Sequence, residues 1–179
     1  TIPYGVLDVS YMFTTSKIEK LPNQLTFPNS ILNMEAIIEQ CHKIEKLPEN
    51  FCIPNSVKNP LVCEMFFEAC TSLKTIPENF KIPDVATSCY AMFYSCHSLE
   101  KLPSSFVFPE QINNMTECFV DCYKLSGTIV FNCNPTKYSS IFAGINKPDL
   151  PTLTLTGTSS LLSEFTKYIT NRTFNIIPL

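Results

Sequence analysis

The residues best suited to chemistry are nine cysteines and two histidines. Each histidine directly follows a cysteine, as Cys41-His42 and Cys96-His97, and thiolates with imidazoles are common zinc ligands. Spacing argues against one shared site. Cys41, Cys70, Cys96 and Cys122 recur at steps of 26 or 29 residues, so the two Cys-His pairs lie two steps apart. Even at the tightest β spacing of about 4.8 Å per layer, that separation is about 10 Å. Zinc ligands sit about 2 Å from the metal. The histidine position is filled by Thr71 and Tyr123 in the other copies, which reads as a surface turn.

The cysteine column itself reads as buried thiols, with disulfides and metal as rival readings. Its neighbours favour burial. Met34, Cys63, Cys89 and Met115 share one position, and Phe66, Met92 and Cys118 share another. A position that accepts Cys, Met and Phe asks for apolar volume. If helical turns stack on this side, layers lie about 8–10 Å apart, beyond the Cα separation of about 4.4–6.8 Å that a disulfide needs. Cys52 and Cys133 lie outside these columns, and Cys52 is expected to be the more reactive thiol.

No other catalytic constellation is present. The sequence has no G-x-S-x-G, H-E-x-x-H, P-loop or G-x-G-x-x-G, and only four glycines to cradle a phosphate. Carboxylates recur with the repeat and form no unique pair of the kind acid–base catalysis uses. The expectation is a protein that is not an enzyme, with no cofactor and no metal.

These residues must be positioned by a repeat. The consensus is Cys-x-x-Leu-x-x-Leu-Pro-x-x-Phe-x-aliphatic-Pro, seen over Cys41 to Ile53, Cys70 to Ile82, Cys96 to Phe108 and, as a first copy, Ile18 to Phe27. Apolar columns run Ile18, Ile44, Leu73, Leu99, Leu125 and Leu21, Leu47, Ile76, Leu102. Two more run Leu25, Phe51, Phe80, Phe106 and Phe27, Ile53, Ile82, Phe108. Proline columns stand at Pro22, Pro48, Pro77, Pro103 and at Pro28, Pro54, Pro83, Pro109. The one 29-residue step places a small insertion near Lys58-Asn59-Pro60, where Asn59 before Pro60 also suggests a helix start.

Phe51-Cys52-Ile53, Phe80-Lys81-Ile82 and Phe106-Val107-Phe108 alternate like short strands, each ended by a proline. Met115, Phe119 and Cys122 at i, i+4, i+7 predict one or two helical turns, with Asn114 and Glu117 as a capping pair. No unit buries its own apolar face, so stacking must build the core. The later strands are expected at Ile129-Val130-Phe131, Leu153-Thr154-Leu155 and Phe174-Asn175-Ile176, with an amphipathic helix from Ser160 to Ile169. The organisation is thus one continuous solenoid: a regular array over residues 1–125, then degenerate rungs and a C-terminal cap over 126–179, about seven rungs in all.

The run Met92-Phe93-Tyr94-Ser95-Cys96-His97-Ser98-Leu99-Glu100-Lys101-Leu102-Pro103 resembles the MF-x-x-C-x-x-L-x-x-L core of the BspA-like leucine-rich-repeat proteins of bacterial surfaces. Phe67 to Leu73 and Phe119 to Leu125 repeat it, and the likeness covers roughly residues 10–131. The resemblance implies a leucine-rich-repeat-like right-handed α/β solenoid with a parallel β-face and short helical turns. It also implies a cell-surface or secreted setting and a role in adhesion or host interaction. Two features depart from the family. Phe-x-aliphatic-Pro replaces the Ser/Thr-rich strand exit, and the first two copies lack the Met-Phe pair, with Ile37-Ile38 in its place in the second.

The chain is 45% hydrophobic and 16% charged with a net charge of −3, a folded composition without the basic footprint of a nucleic-acid binder. No apolar run reaches the length of a membrane span. Thr1-Ile2-Pro3-Tyr4 has no initiator Met and no signal-peptide pattern, so a leader or upstream segment is expected to have been removed. Glu19-Lys20, Glu45-Lys46 and Glu100-Lys101 read as a solvated strip beside Lys74-Thr75. Asn114-Met115-Thr116 and Asn171-Arg172-Thr173 match the glycosylation pattern, but Met115 sits in a core column. The outward strand positions Thr26, Cys52, Lys81, Val107, Val130 and Thr154 face the sheet surface that solenoids use for binding. Of these, Thr26, Lys81, Val107, Val130 and Thr154 are the candidate interaction surface for a protein or glycan partner. A structural spacer or particle-decorating domain without a soluble ligand is the alternative.

Overall fold

The computed structural model of the protein describes residues 1–54, 57, 61–167 and 169–179. The chain winds as a parallel-strand solenoid with little helix. Its longest ladder of bridges runs through Asp8, Asn33, Val62, Ser88, Asn114 and Lys137, marking about five turns. In that ladder β1 (Leu61–Val62) pairs with β2 (Ala86–Ser88). A second side carries β3 (Val107–Phe108), β4 (Gly127–Phe131), β5 (Leu153–Gly157) and β6 (Phe174–Pro178), parallel and in that order. A third side is bridged through Lys46, Thr75 and Lys101. The insertion near Lys58-Asn59-Pro60 and the helix start at Asn59 lie outside the described residues.

The strand pattern holds in burial more widely than in pairing. Phe51 and Ile53 are buried about Cys52, and Phe80 and Ile82 about Lys81. Yet among the described residues sheet pairing on this side begins only at Val107. Proline explains the difference. Asn132, just past β4, donates its N–H to the Phe108 carbonyl at 3.1 Å. Pro54, Pro83 and Pro109 occupy the matching place in earlier copies and have no N–H to give. Those prolines start tight turns instead: the Pro54, Pro83 and Pro109 carbonyls accept from Val57, Ala86 and Ile112. The other proline column does the same, with Pro48, Pro77 and Pro103 accepting from Phe51, Phe80 and Phe106.

The expected helical turns after the first ladder are replaced by overlapping β-turns. In one copy the N–H groups of Met92, Tyr94 and Cys96 donate to the carbonyls of Cys89, Ala91 and Phe93, three residues back. Every fourth residue has positive φ: Ala91 at 48° and Ser95 at 55°, Glu117 at 59° and Asp121 at 57°. Positive φ at the third turn position is the type II pattern, so type II and type I turns alternate. The remaining N–H groups point to the next layer. Met115, Glu117, Phe119 and Asp121 donate to Lys137, Ser139, Ile141 and Ala143 at 2.7–3.0 Å. The expected capping pair is also absent in this form: Asn114 Oδ1 accepts from Thr116 N, and Glu117 N donates to the next layer. A two-turn unit repeats every four residues, so Met115 and Phe119 face inward together as they would on a helix.

This backbone sets the layer spacing by hydrogen bonds, and the 8–10 Å helix spacing expected from the sequence does not apply. Phe67, Phe93, Phe119 and Phe142 stack nearly parallel at centroid separations of 5.3, 5.4 and 5.5 Å. Phe51, Phe80 and Phe106 form a second stack at 6.4 Å per step. Stacked rings of this kind add to area burial. The four apolar columns and the Cys/Met column are buried, with Ile18 half-buried at the first turn.

At the far end α1 (Ser159–Thr166) stands where the next turn series would run. Thr158 caps it by accepting from Leu161 N at 3.4 Å, the role a Thr N-cap serves. Leu161, Leu162 and Phe165 face inward, and Phe165 packs against Phe131, Tyr138 and Phe142. Arg172 is buried and pins this segment: Nε donates to the Pro151 carbonyl at 3.1 Å and Nη2 to the Leu125 carbonyl. Its Nη1 has no partner among the described residues.

Candidate functional site

The five candidate surface residues all point outward. Thr26 and Lys81 are exposed, and Val107, Val130 and Thr154 are half-buried. The sheet register brings Val107 opposite Val130, and Val130 opposite Thr156 and then Ile177. Thr154 falls one column over, between Thr128 and Asn175. Beside this sheet a groove of about 610 Å³ is lined by Lys81 and Val107 together with Asp84, Glu110, Gln111 and Asn132. Sequence reasoning missed those four. Their signal was available, since Asp84 follows Pro83 and Glu110 follows Pro109 in one column.

The Glu/Lys strip is exposed and cross-linked between layers. Lys74 Nζ lies 2.7 Å from Glu45, and Lys43 Nζ lies 3.4 Å from Glu19. The Lys74 ammonium holds the Glu45 carboxyl below its ordinary range. A groove of about 650 Å³ opens here between Glu19, Lys20, His42, Lys43 and Lys46. His42 Nδ1 lies 2.9 Å from the Ala69 carbonyl, and His97 stacks on Tyr123 at 5.2 Å. The two histidines therefore engage their own neighbouring layers. Among the described residues no group of three or more His, Cys, Asp or Glu is arranged to hold a metal ion.

An acidic strip runs along the outer side of the turn series, unremarked by sequence reasoning. Tyr11 donates its hydroxyl to Glu35 at 2.6 Å, which pushes the Tyr11 phenol up to about 12. Partial burial, then the charges of Glu39 and Glu117, raise the Glu68 carboxyl. Glu78, on another turn, is held below its ordinary range by the Ser104 N–H and hydroxyl at 2.9 and 3.0 Å.

All nine cysteines are free thiols. Cys41, Cys70, Cys96 and Cys122 each donate Sγ–H to a carbonyl one layer back, those of Phe13, Ile38, Phe67 and Phe93, at 3.0 Å every time. The column thus has a polar role besides its volume: each thiol is a second donor to a carbonyl that already accepts a backbone N–H. Burial raises these thiols, and Cys63 is pushed up to about 12 and Cys133 to about 11. Cys133 is buried against Met115, with Sγ 3.8 Å from Sδ, whereas Cys52 is only half-buried. Thiolates are the reactive form, so the buried set is inert in the folded chain.

No known family profile matches the chain, and neither a curated protein nor a solved structure matches it. No helix among the described residues is long and apolar enough to cross a membrane.

Proposed function

We propose that the chain is a non-enzymatic leucine-rich-repeat-type module of a cell surface or secreted protein, serving adhesion or another host interaction. The reading takes the parallel sheet as its working face and a protein or glycan as its partner. One observation carries it: Lys81 and Val107, two residues of the outward strand column, line a groove that also holds Asp84, Glu110, Gln111 and Asn132. Polar and charged side chains mixed with apolar ones are common at recognition surfaces. The repeated layers supply the same side chains again and again, which suits display of a surface better than a single reacting centre. The right hand of the solenoid and the count of about seven rungs belong to this same family-based reading.

A screen of host proteins, matrix components and glycans against the chain tests it. Binding that is abolished by Lys81→Glu and Val107→Lys, with the unfolding midpoint unchanged, is the expected result. A screen without a binder, or binding untouched by both substitutions, rejects the reading. A structural spacer or particle-decorating domain without a soluble ligand is the second reading, and the layer-to-layer hydrogen bonds of the repeat suit it.

A further inference from the structure

Each layer of the turn series hands N–H groups forward, and the next layer answers them with carbonyls. Glu117, Phe119 and Asp121 donate in this way to Ser139, Ile141 and Ala143 at 2.9–3.0 Å. The same positions one layer on are Ser140, Phe142 and Gly144. Positive φ recurs there, 56° at Ser140 and 77° at Gly144, as it does at Glu117 and Asp121. The turn geometry is kept, so these three N–H groups face forward as well. Yet among the described residues none of the three has an acceptor.

The cause is α1. It stands in the place of the next turn layer, but a helix spends its carbonyls on its own N–H groups. Leu161, Leu162 and Phe165 replace the layer's volume in the core; the layer's hydrogen bonds are not replaced. Outside the helix a groove of about 480 Å³ stays open, within the range of about 300–1,000 Å³ that ligand sites occupy. Ser140, Phe142 and Gly144 line one side, and Glu164, Phe165 and Ile169 the other. Glu164 is the only charged side chain among the described residues of its lining. Its carboxylate lies 3.8 Å from Lys167 and is 49% exposed. Donors at every second residue ask for carbonyls at the same interval. A polypeptide main chain supplies them; a single small anion does not, and it would lie beside the Glu164 carboxylate.

We propose that this groove takes a peptide segment of a partner protein, running parallel to residues 138–144 as every layer does to the one before it. Its alternate carbonyls accept from Ser140, Phe142 and Gly144. An apolar side chain rests on Phe165 and Ile169, and a lysine or arginine faces Glu164. Main-chain bonds for affinity, with side-chain contacts for specificity, are the general mode of strand addition. The site goes beyond the sheet groove beside Val107 and is independent of it.

Amide NMR of the full chain tests this. In the free chain the amides of Ser140, Phe142 and Gly144 are expected to exchange about tenfold or more faster than those of Glu117, Phe119 and Asp121. The probe is a blocked peptide, acetyl-Ile-Lys-Ile-Lys-Ile-amide, titrated to millimolar concentration. It is expected to shift the three amides downfield and to slow their exchange by about tenfold or more, leaving Val107 and Asn132 unmoved. Ala143→Trp fills the groove from an exposed position and is expected to weaken binding by about tenfold or more. Glu164→Lys is expected to weaken it by about two- to fivefold and to favour the same peptide with glutamates in place of its lysines. Protection of the three amides in the free chain, shifts confined to the Val107 side, or no shift at all overturns the proposal. So do the same shifts produced by acetate alone, which make this an anion site, or by raising the chain's own concentration, which make the occupant a second copy.

Discussion

The turn layers over residues 34–144 and the closing segment over 145–179 solve one problem by different means. In the turn layers each copy hands its N–H groups to the next, and Phe67, Phe93, Phe119 and Phe142 stack ring on ring. In the closing segment α1 satisfies its own backbone, and the join relies on Phe165 and on one buried arginine. Stability in the first region is shared among many equivalent contacts, as expected of a stack coupled through nearest neighbours. In the second it is concentrated in a few.

Substitutions can break or sharpen that contrast. Phe93→Ala removes a ring stacked on both sides and should lower global stability by about 3–5 kcal/mol in denaturant unfolding; Phe174→Ala, half-buried in the closing segment, should cost distinctly less. An equal cost at both sites would erase the distinction. Arg172→Ala strips the buried Leu125 carbonyl and the part-buried Pro151 carbonyl of their donor, and about 1–3 kcal/mol should follow. Hydrogen exchange should show this loss over β5, α1 and β6 while amides of the turn layers stay protected.

Alkaline pH probes the turn layers instead. Cys63 ionises near 9 when unfolded but is pushed up to about 12 when folded, so the folded state keeps its proton longer. Stability is then full below pH 9 and falls between pH 9 and 12, by about 1.4 kcal/mol per pH unit for one such thiol. Cys63→Ala should flatten that slope, and a slope that does not change refutes the assignment. A thiol titration of the folded chain near neutral pH should find Cys52 alone reactive. Smaller again, Glu68→Gln should raise the unfolding midpoint at pH 7, because it relieves a partly buried carboxylate repelled by Glu39 and Glu117. Lys74→Ala, on an exposed ion pair, should leave the midpoint where it was.

Much of this architecture was legible in the residues. The apolar and proline columns located the buried ladder, the late strands and the helix, because each is encoded by side-chain volume or by a missing N–H. The turn series was not legible as such. Its unit of four residues places Met115 and Phe119 as a helix of 3.6 would, and its positive φ falls mostly on residues such as Ala91, Ser95, Glu117 and Asp121, with glycine in such a place at Gly144. The sulfur-to-carbonyl bonds were hidden for a similar reason, since Cys96 and Met92 look alike to an argument about volume. The groove beside Val107 escaped because its polar rim lies past the prolines, in a column that had been read only as the end of a strand.

The one-way hand-off of N–H groups has an electrical consequence. Ordinary sheets nearly cancel their peptide dipoles by alternation. In the turn layers those dipoles add instead, each of about 3.5 D as in a helix. The side of the molecule that carries them is a bar of aligned dipoles, negative at the first turn and positive toward residues 138–144. Side chains aside, that arrangement favours cations beside the first turn and anions toward the other end.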